Sequence, residues 1–429
     1  MFSVIIPVYN SEQTILKTVS SILLNLVDKK DEIIIVNDGS TDNTINILDV
    51  YKENKKIKII NQNNKGVSAA RNHGIEYISD STKFVTFIDD SDQISNNFFN
   101  ENIKFFTKHE NISVAVNPIM IIENNNEREH NLNFRFKKSN DVVNILEDKN
   151  FIHYHMGGTV FRKTVFTEDN YRFDEKINYW EDAKLFNILV INKQKYGLVK
   201  RTKYYYNRDN RFSLSKLAWL SNKRYEYHID NNFFHIINES IMRYGYVIPY
   251  VQFLISNHYL EYLLEYNQEI IKYHNINITK SFYLSSEILF THIENNVIEN
   301  IGVNNKYKHF LFKLKNIEYN IVPRSENIKV YIHSYNILNG FAILSFSKDS
   351  FGISTSAIVS LLDKKALIVK NKNAQIFNEY KEDFSLLVFK VKVPIRHIIF
   401  GFKIDIKDVK NNKSYLIHRP SIIKKFLKI

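Results

Sequence analysis

Carboxylates gather at two places in this chain where they could do chemistry. Asp89, Asp90 and Asp92 lie within one four-residue stretch that follows the apolar run Phe84–Ile88. Glu181 and Asp182 precede a helical stripe of Leu185, Phe186, Leu189 and Val190. Acids this close repel one another, and a strand end gathers them where a cation can hold them together. Oxygen ligands of this kind suit Mn2+ or Mg2+, which keeps part of its water shell and bridges diphosphate oxygens. The second pair occupies a first helical turn, where the macrodipole favours ionised carboxylates and a general base could stand.

Other polar clusters also follow apolar runs. Pro7-Val8-Tyr9-Asn10 ends the first run, where loop backbone and the Tyr9 ring can meet a flat base. Asp38 ends the second and can accept hydrogen bonds from a base or ribose. Asn64-Lys65-Gly66 follows the third, and Lys65 and Arg71 bring positive charge toward a diphosphate. Strand ends of this kind are where open α/β sheets bind nucleotides. Of only 11 glycines, Gly39, Gly66, Gly74, Gly157 and Gly158 fall inside such segments, which suits turns and close backbone approach. His155 with Gly157 and Gly158, and Trp180 beside Glu181, are candidate acceptor contacts.

The elements that must position these residues follow from periodicity. Strand-like runs at Val4–Ile6, Ile33–Val36, Ile57–Ile60, Phe84–Ile88 and Val114–Val116 alternate with helical stripes, as in a mostly parallel, doubly wound sheet. Ser11 is the expected N-cap of the first helix, and Ser40 or Asp42 of the second. From about 220 the pattern is helical, with stripes such as Phe233, Ile236, Ile237 and Tyr259, Leu260, Leu263, Leu264. After Pro323 the period becomes two: Phe389, Val391 and Val393 alternate with lysines, as do Phe402, Ile404 and Ile406 with Lys403 and Asp405. That alternation predicts a small β-sandwich. The expected division is a domain at 1–219, a helical region at 220–320 and a β-rich domain at 321–429.

Four segments in this order, SVIIPVYN, IIIVNDGST, NKGVSAARNHG and FVTFIDDSDQI, resemble the N-terminal half of family 2 glycosyltransferases. The resemblance runs from Met1 to about Ser215. It implies a GT-A fold, an α/β doubly wound sheet of Rossmann-like type, and inverting transfer from a nucleotide-diphosphate sugar, expected to be a UDP-sugar. Asp182 matches the family's base in a Glu-Asp pair, and the acidic cluster matches its metal-binding Asp-x-Asp motif. Ser91 departs from that motif. Either Asp90 and Asp92 form a shifted pair on the metal, or Asp89 stays on the ribose while Asp92 reaches the metal. Tyr204–Ser215 resembles a loop that closes on the diphosphate and makes Arg208, Arg211 and Ser213 leaving-group contacts. The likeness extends to enzymes that decorate bacterial surface polymers such as teichoic acid or capsule, so the acceptor is expected to be polymeric or lipid-linked. The alternative is a transferase-like module that binds nucleotide or polymer without turnover.

Composition narrows the remaining classes. The chain has 429 residues, no cysteine and a net charge of +12, and lacks nucleic-acid-binding motifs, so no nucleic-acid partner is expected. Its start has no leader-like basic region, and the expected location is the cytoplasm. Ser421–Ile429 (SIIKKFLKI) reads as a short basic amphipathic helix. It could lie on the inner face of an anionic membrane, or dock on the β-rich domain or a second subunit. Homo-oligomerisation through the C-terminal domain is a further expectation.

Overall fold

Apolar runs flanked by turn residues become the central strands of an α/β sheet. A computed structural model describes residues 1–429 except 178, 210–216, 304, 319–324, 326–327, 348–352, 354–355, 373–374, 378–379, 382–385, 411 and 420–429. It separates into two compact units, Met1–Ile255 and Ser256–Ile429.

In the first unit, β1 (Phe2–Val8), β2 (Glu32–Asp38), β3 (Ile57–Gln62) and β4 (Phe84–Phe87) are the parallel strands that the apolar runs predict. Val4 pairs with Ile33, and Ile33 with Ile57, so the polar loops after β1, β2 and β3 emerge at one sheet edge. Between them run α1 (Ile15–Leu23), α2 (Thr44–Leu48) and α3 (Val67–Glu76). β5 (Gln93–Ile94), α4 (Phe98–Lys108), β6 (Val114–Val116), β7 (Ile119–Glu123), β8 (Asn126–Glu129), β9 (Val142–Asn144), β10 (Thr159–Arg162), α5 (Thr164–Thr167), α6 (Glu181–Lys193), β11 (Lys195–Leu198) and β12 (Tyr204–Asn207) follow. The large sheet has the order β3-β2-β1-β4-β10-β6-β11-β9. It is mixed: β10 runs antiparallel to both β4 and β6, and β9 is antiparallel to β11. A smaller sheet, β5-β12-β7-β8, brings β12 beside the segment that follows the acidic turn.

Capping differs from expectation. Helix α1 begins at Ile15 with Thr14 at its N-cap position. The Ser11 hydroxyl instead donates to Asp90 Oδ2, so the site claims the side chain that would have capped the helix. Asp42 Oδ1 accepts the Thr44 N–H at the start of α2, whereas Ser40 Oγ accepts the Asn10 N–H.

The division expected at 219 and 320 follows the change of period, but the compact units divide at 255. Helices Asn222–Glu226 and Phe234–Tyr244 belong to the first unit, and the second of them bonds α6 through Glu239 with Asn192 and Tyr244 with the Ile191 carbonyl. Phe233 meets Trp180, Lys184 Nζ bonds the Asn231 carbonyl, and the Tyr250 hydroxyl donates to Asn187. The second unit holds further helices, including Lys280–Thr291 and Asn305–Leu314, and then the β-rich part. One four-stranded sheet orders Val330–Asn336, Phe341–Phe346, Leu386–Lys392 and Leu367–Lys372; the other orders Lys364–Lys365, Ile358–Leu361, Phe402–Asp408 and Lys413–Arg419. Leu344, Phe389 and Val391 of one sheet share a core with Val359, Ile404 and Ile406 of the other, which makes the β-sandwich. Among the described residues, no helix is long and apolar enough to cross a membrane. Ser421–Ile429 lies outside the described residues.

Candidate active site

The turn after β4 and the start of α6 converge on one buried arginine. Arg71, on α3 and 4% exposed, donates to Asp89 Oδ1 and to Glu181 Oε1, both at 3.0 Å. One guanidinium thus joins the acidic turn after β4 to the Glu-Asp pair of α6, which begins 110 residues after Arg71 itself. Burial opposes its charge, but Asp89, Glu181 and Asp182 outweigh that and raise its pKa. A buried cation with paired acids is held in place far more rigidly than a surface pair.

The two acids of α6 have different surroundings. Glu181 is buried, and burial with the neighbouring Asp182 pushes its carboxyl up to about 7 despite Arg71. Asp182 is partly exposed and accepts N–H groups from Ala183 at 2.7 Å and Met156 at 3.2 Å. Burial raises its pKa, with Arg71 working against the shift. Asp182 is therefore the open carboxylate, more basic than an ordinary aspartate, and Glu181 is the one bound to Arg71.

The acidic turn is also sorted by burial. Asp89 has a side chain 39% exposed, with one oxygen on Arg71. Asp90 is partly exposed and takes the Ser11 hydroxyl and, at 3.3 Å, the Tyr9 N–H. Burial, with the Asp89 charge adding to it, pushes its carboxyl up to about 6 against the Ser11 hydrogen bond. Asp92 is 1% exposed, and its oxygens take the Tyr204 hydroxyl at 2.5 Å and the Asn207 N–H at 2.9 Å. Both expected arrangements put Asp92 on a cation, whereas here Asp92 is turned inward and holds β12. Among the described residues, no three His, Cys, Asp or Glu side chains form a ready metal cage. Asp89 and Asp90 still offer hard oxygen donors on the open side, which suits an ion that completes its shell with water and phosphate oxygens.

In the loop expected to meet a nucleotide, Tyr9 is 47% exposed beside Pro7, Val8 and Asn10, and Asn10 adopts a φ of 52°. Asp38 is buried and is used differently from expectation. Its carboxylate accepts the Lys65 and Gly66 N–H groups and Gln62 Nε2, each at 2.8 Å. It fixes the loop after β3, while Asn64 and Lys65 stay exposed. A Cβ at Gly39, whose φ is +72°, would stand 2.8 Å from the Asn64 backbone nitrogen, so glycine lets these two loops touch. Arg208 follows β12 and its N–H bonds the Ile122 carbonyl. Arg211 and Ser213 lie outside the described residues.

Three expected acceptor contacts turn inward. Trp180 is 4% exposed, packed on His228 and Phe233, with a left-handed φ of 71° just before α6. Its large apolar ring anchors the loop and does not face an acceptor. Gly157 and Gly158 are buried under Tyr204; a Cβ on Gly157 would lie 2.3 Å from that ring. Only His155 keeps partial exposure, edge-on to Tyr206 with centroids 4.8 Å apart. Burial lowers its pKa. Sequence reasoning gave Ser11 only a capping role and did not single out Met156 or the Tyr204 side chain. The adjacent glycines were the available signal for Tyr204, since two missing side chains leave room for one large ring.

Comparison with known proteins agrees with this geometry. Residues 3–169 match the family model for glycosyl transferase family 2. Over 425 residues the chain is 31% identical to the minor teichoic acid biosynthesis protein GgaA of Bacillus subtilis (strain 168), covering 94% of both chains. It is 27% identical over 431 residues to the minor teichoic acid biosynthesis protein GgaB of the same organism, covering 99% of this chain and 45% of GgaB. The crystal structure of Staphylococcus aureus TarS 1–349 in complex with UDP-GlcNAc superposes with a TM-score of 0.51 at 18% identity, over 73% of this chain and 87% of that one. That likeness shows a shared GT-A fold. A relative this similar along nearly its whole length, together with the matching family model, establishes that the chain belongs to glycosyl transferase family 2 and is a glycosyltransferase.

Proposed function

We propose that this glycosyltransferase moves a sugar, with inversion, from a UDP-sugar to a hydroxyl of a bacterial cell-wall polymer of the teichoic acid type. The observation that carries this reading is the Arg71 bridge, which joins the acidic turn after β4 to the pair containing the open Asp182. Asp182 takes the proton from the acceptor hydroxyl as its oxygen attacks the anomeric carbon, and the bond to the diphosphate breaks on the opposite face. Glu181 and Arg71 hold that base in place. The loop after β1 contacts the nucleotide, and the Lys65 loop, fixed by Asp38, faces the diphosphate.

Asp89 and Asp90 would hold Mn2+ or Mg2+, which supplies positive charge for the departing diphosphate. The donor class draws on TarS, solved with UDP-GlcNAc, and the polymer on GgaA and GgaB, named for minor teichoic acid biosynthesis. A hexosyl or N-acetylhexosaminyl donor is the expected case. A cytoplasmic enzyme working at the inner membrane face, with the Lys-rich second unit near anionic lipid or polymer, completes the reading. Assembly into a homo-oligomer through the sandwich belongs to it as well.

The test is a screen of UDP-sugars with Mn2+, with and without purified teichoic acid, read by UDP release and product mass. Sugar-bearing polymer is the expected product, and EDTA should stop its formation. Activity that survives EDTA would remove the metal from the reading. No turnover of any UDP-sugar would leave a nucleotide-binding module in its place.

A further inference from the structure

Tyr204 is fully buried, yet its hydroxyl reaches the acidic turn and its ring fills the notch over the glycine pair. The hydroxyl donates to Asp92 Oδ2 at 2.5 Å and lies 3.4 Å from the Asp89 N–H. Three residues on, the Asn207 N–H donates to the other Asp92 oxygen at 2.9 Å. Strand β12 therefore grips Asp92 at two points, once through a side chain and once through backbone. Asp92 in turn closes the turn by donating its N–H to the Asp89 carbonyl. The turn that carries Asp89 and Asp90 is thus tied to β12.

The ring faces a different partner. A Cβ on Gly157 would lie 2.3 Å from Tyr204 Cε1, and one on Gly158 would lie 3.0 Å from Tyr204 Cβ. Only glycine lets the 155–158 loop close over this ring, and Gly158 also adopts a φ of +75°. The residue just before them, Met156, gives its N–H to Asp182. The same side chain touches the turn of the donor-side acids and the loop that holds the base.

We propose that Tyr204 is a positioning residue for the transfer: its hydroxyl fixes the Asp89–Asp92 turn while its ring fixes the Met156–Gly158 loop, so one side chain sets the spacing between the donor-side carboxylates and Asp182. The inference rests on the transferase reading above. Small errors in such spacing are costly, because a misplacement of about 1 Å far from the reacting atoms can slow a reaction about a hundredfold.

The experiment compares the full chain with Tyr204→Phe, Asp92→Asn and the double variant, measuring kcat and KM for donor and acceptor, with thermal unfolding of each. Tyr204→Phe keeps the ring, so the unfolding midpoint should stay near that of the unaltered protein. Its kcat should fall about tenfold or more, with KM for the acceptor little changed. Asp92→Asn should lower kcat as well, and the double variant should be no slower than the slower single one, since both changes act on the same bond. Tyr204→Phe that folds and keeps full kcat overturns the inference, as do fully additive losses. Should Tyr204→Phe fail to fold, Gly157→Ala takes its place: the inference requires a fall in kcat, and unchanged turnover with a normal unfolding midpoint overturns it. A protein that turns over no donor at all defeats the transferase reading instead, so the two failures are distinguishable.

Discussion

The two compact units carry charge in opposite ways. Met1–Ile255 is nearly balanced, with 33 Lys and Arg against 31 Asp and Glu, while Ser256–Ile429 has 25 against 15. The balanced unit nevertheless holds the intense electrostatics, with Asp89, Asp90, Asp92, Glu181 and Asp182 around Arg71. The basic unit disperses its charge: Lys403, Asp405 and Lys407 are the exposed positions of a strand whose other side is core. Net charge therefore says little about where chemistry happens. Charges become reactive where the fold removes water from them, because interactions between charges weaken as the effective dielectric rises.

That contrast can be broken at several strengths. The largest effect belongs to Asp182→Asn, which should cut transfer by about 10²- to 10⁴-fold while nucleotide binding persists. Turnover assays with calorimetry check this, and lost UDP affinity would move Asp182 to the donor side. Arg71→Met should come next. It leaves Asp89 and Glu181 without their buried partner and should destabilise the protein by about 3–5 kcal/mol in urea unfolding. A loss below 1 kcal/mol would mean that the ion pairs are not what holds the site together.

A third effect concerns pH. Glu181 and Asp90 bind protons more tightly when folded, with values raised to about 7 and about 6. For acids with raised folded values, stability is fullest below the unfolded value and is lost as pH climbs toward the folded one. Unfolding free energy should therefore fall between about pH 4 and 7, by at most about 3 kcal/mol from each group, and Glu181→Gln should flatten that slope. A Glu181→Gln profile as steep as the original would assign the slope elsewhere. The smallest effect is the control from the other unit. Lys403→Ala with Lys407→Ala, on the open face of the sandwich, should shift stability by no more than about 0.5 kcal/mol. A larger loss would show that these lysines are held by contacts their exposure does not suggest.

How much was legible follows from how local each signal is. The first four strands, the open end of the sheet and the Glu-Asp helix start could be read from short runs, because period and turn residues act over a few positions. The two faces of the sandwich strands were equally plain, since alternation requires only the pleat. The three acids after β4 looked alike in sequence, and their sorting into two open carboxylates and one inward anchor depends on β12, more than 100 residues away. Trp180 and the glycine pair read as acceptor groups because exposure does not show in a local pattern. The mixed sheet was hidden for a related reason: β10 enters between β4 and β6 by a long-range pairing that its four residues do not announce.

By itself, the sequence determined that strand ends would carry polar loops, that acids would cluster at one of them, and that a carboxylate pair would open a later helix. These follow from residue type and spacing, which work through local sterics and periodicity. Only the tertiary structure decided that Arg71 would join the two acid groups, that Asp182 and not Glu181 would stay open, and that Asp92 would face Tyr204. Those outcomes depend on which distant segments share one desolvated volume, where a charge must find a partner or be neutralised by a change of protonation.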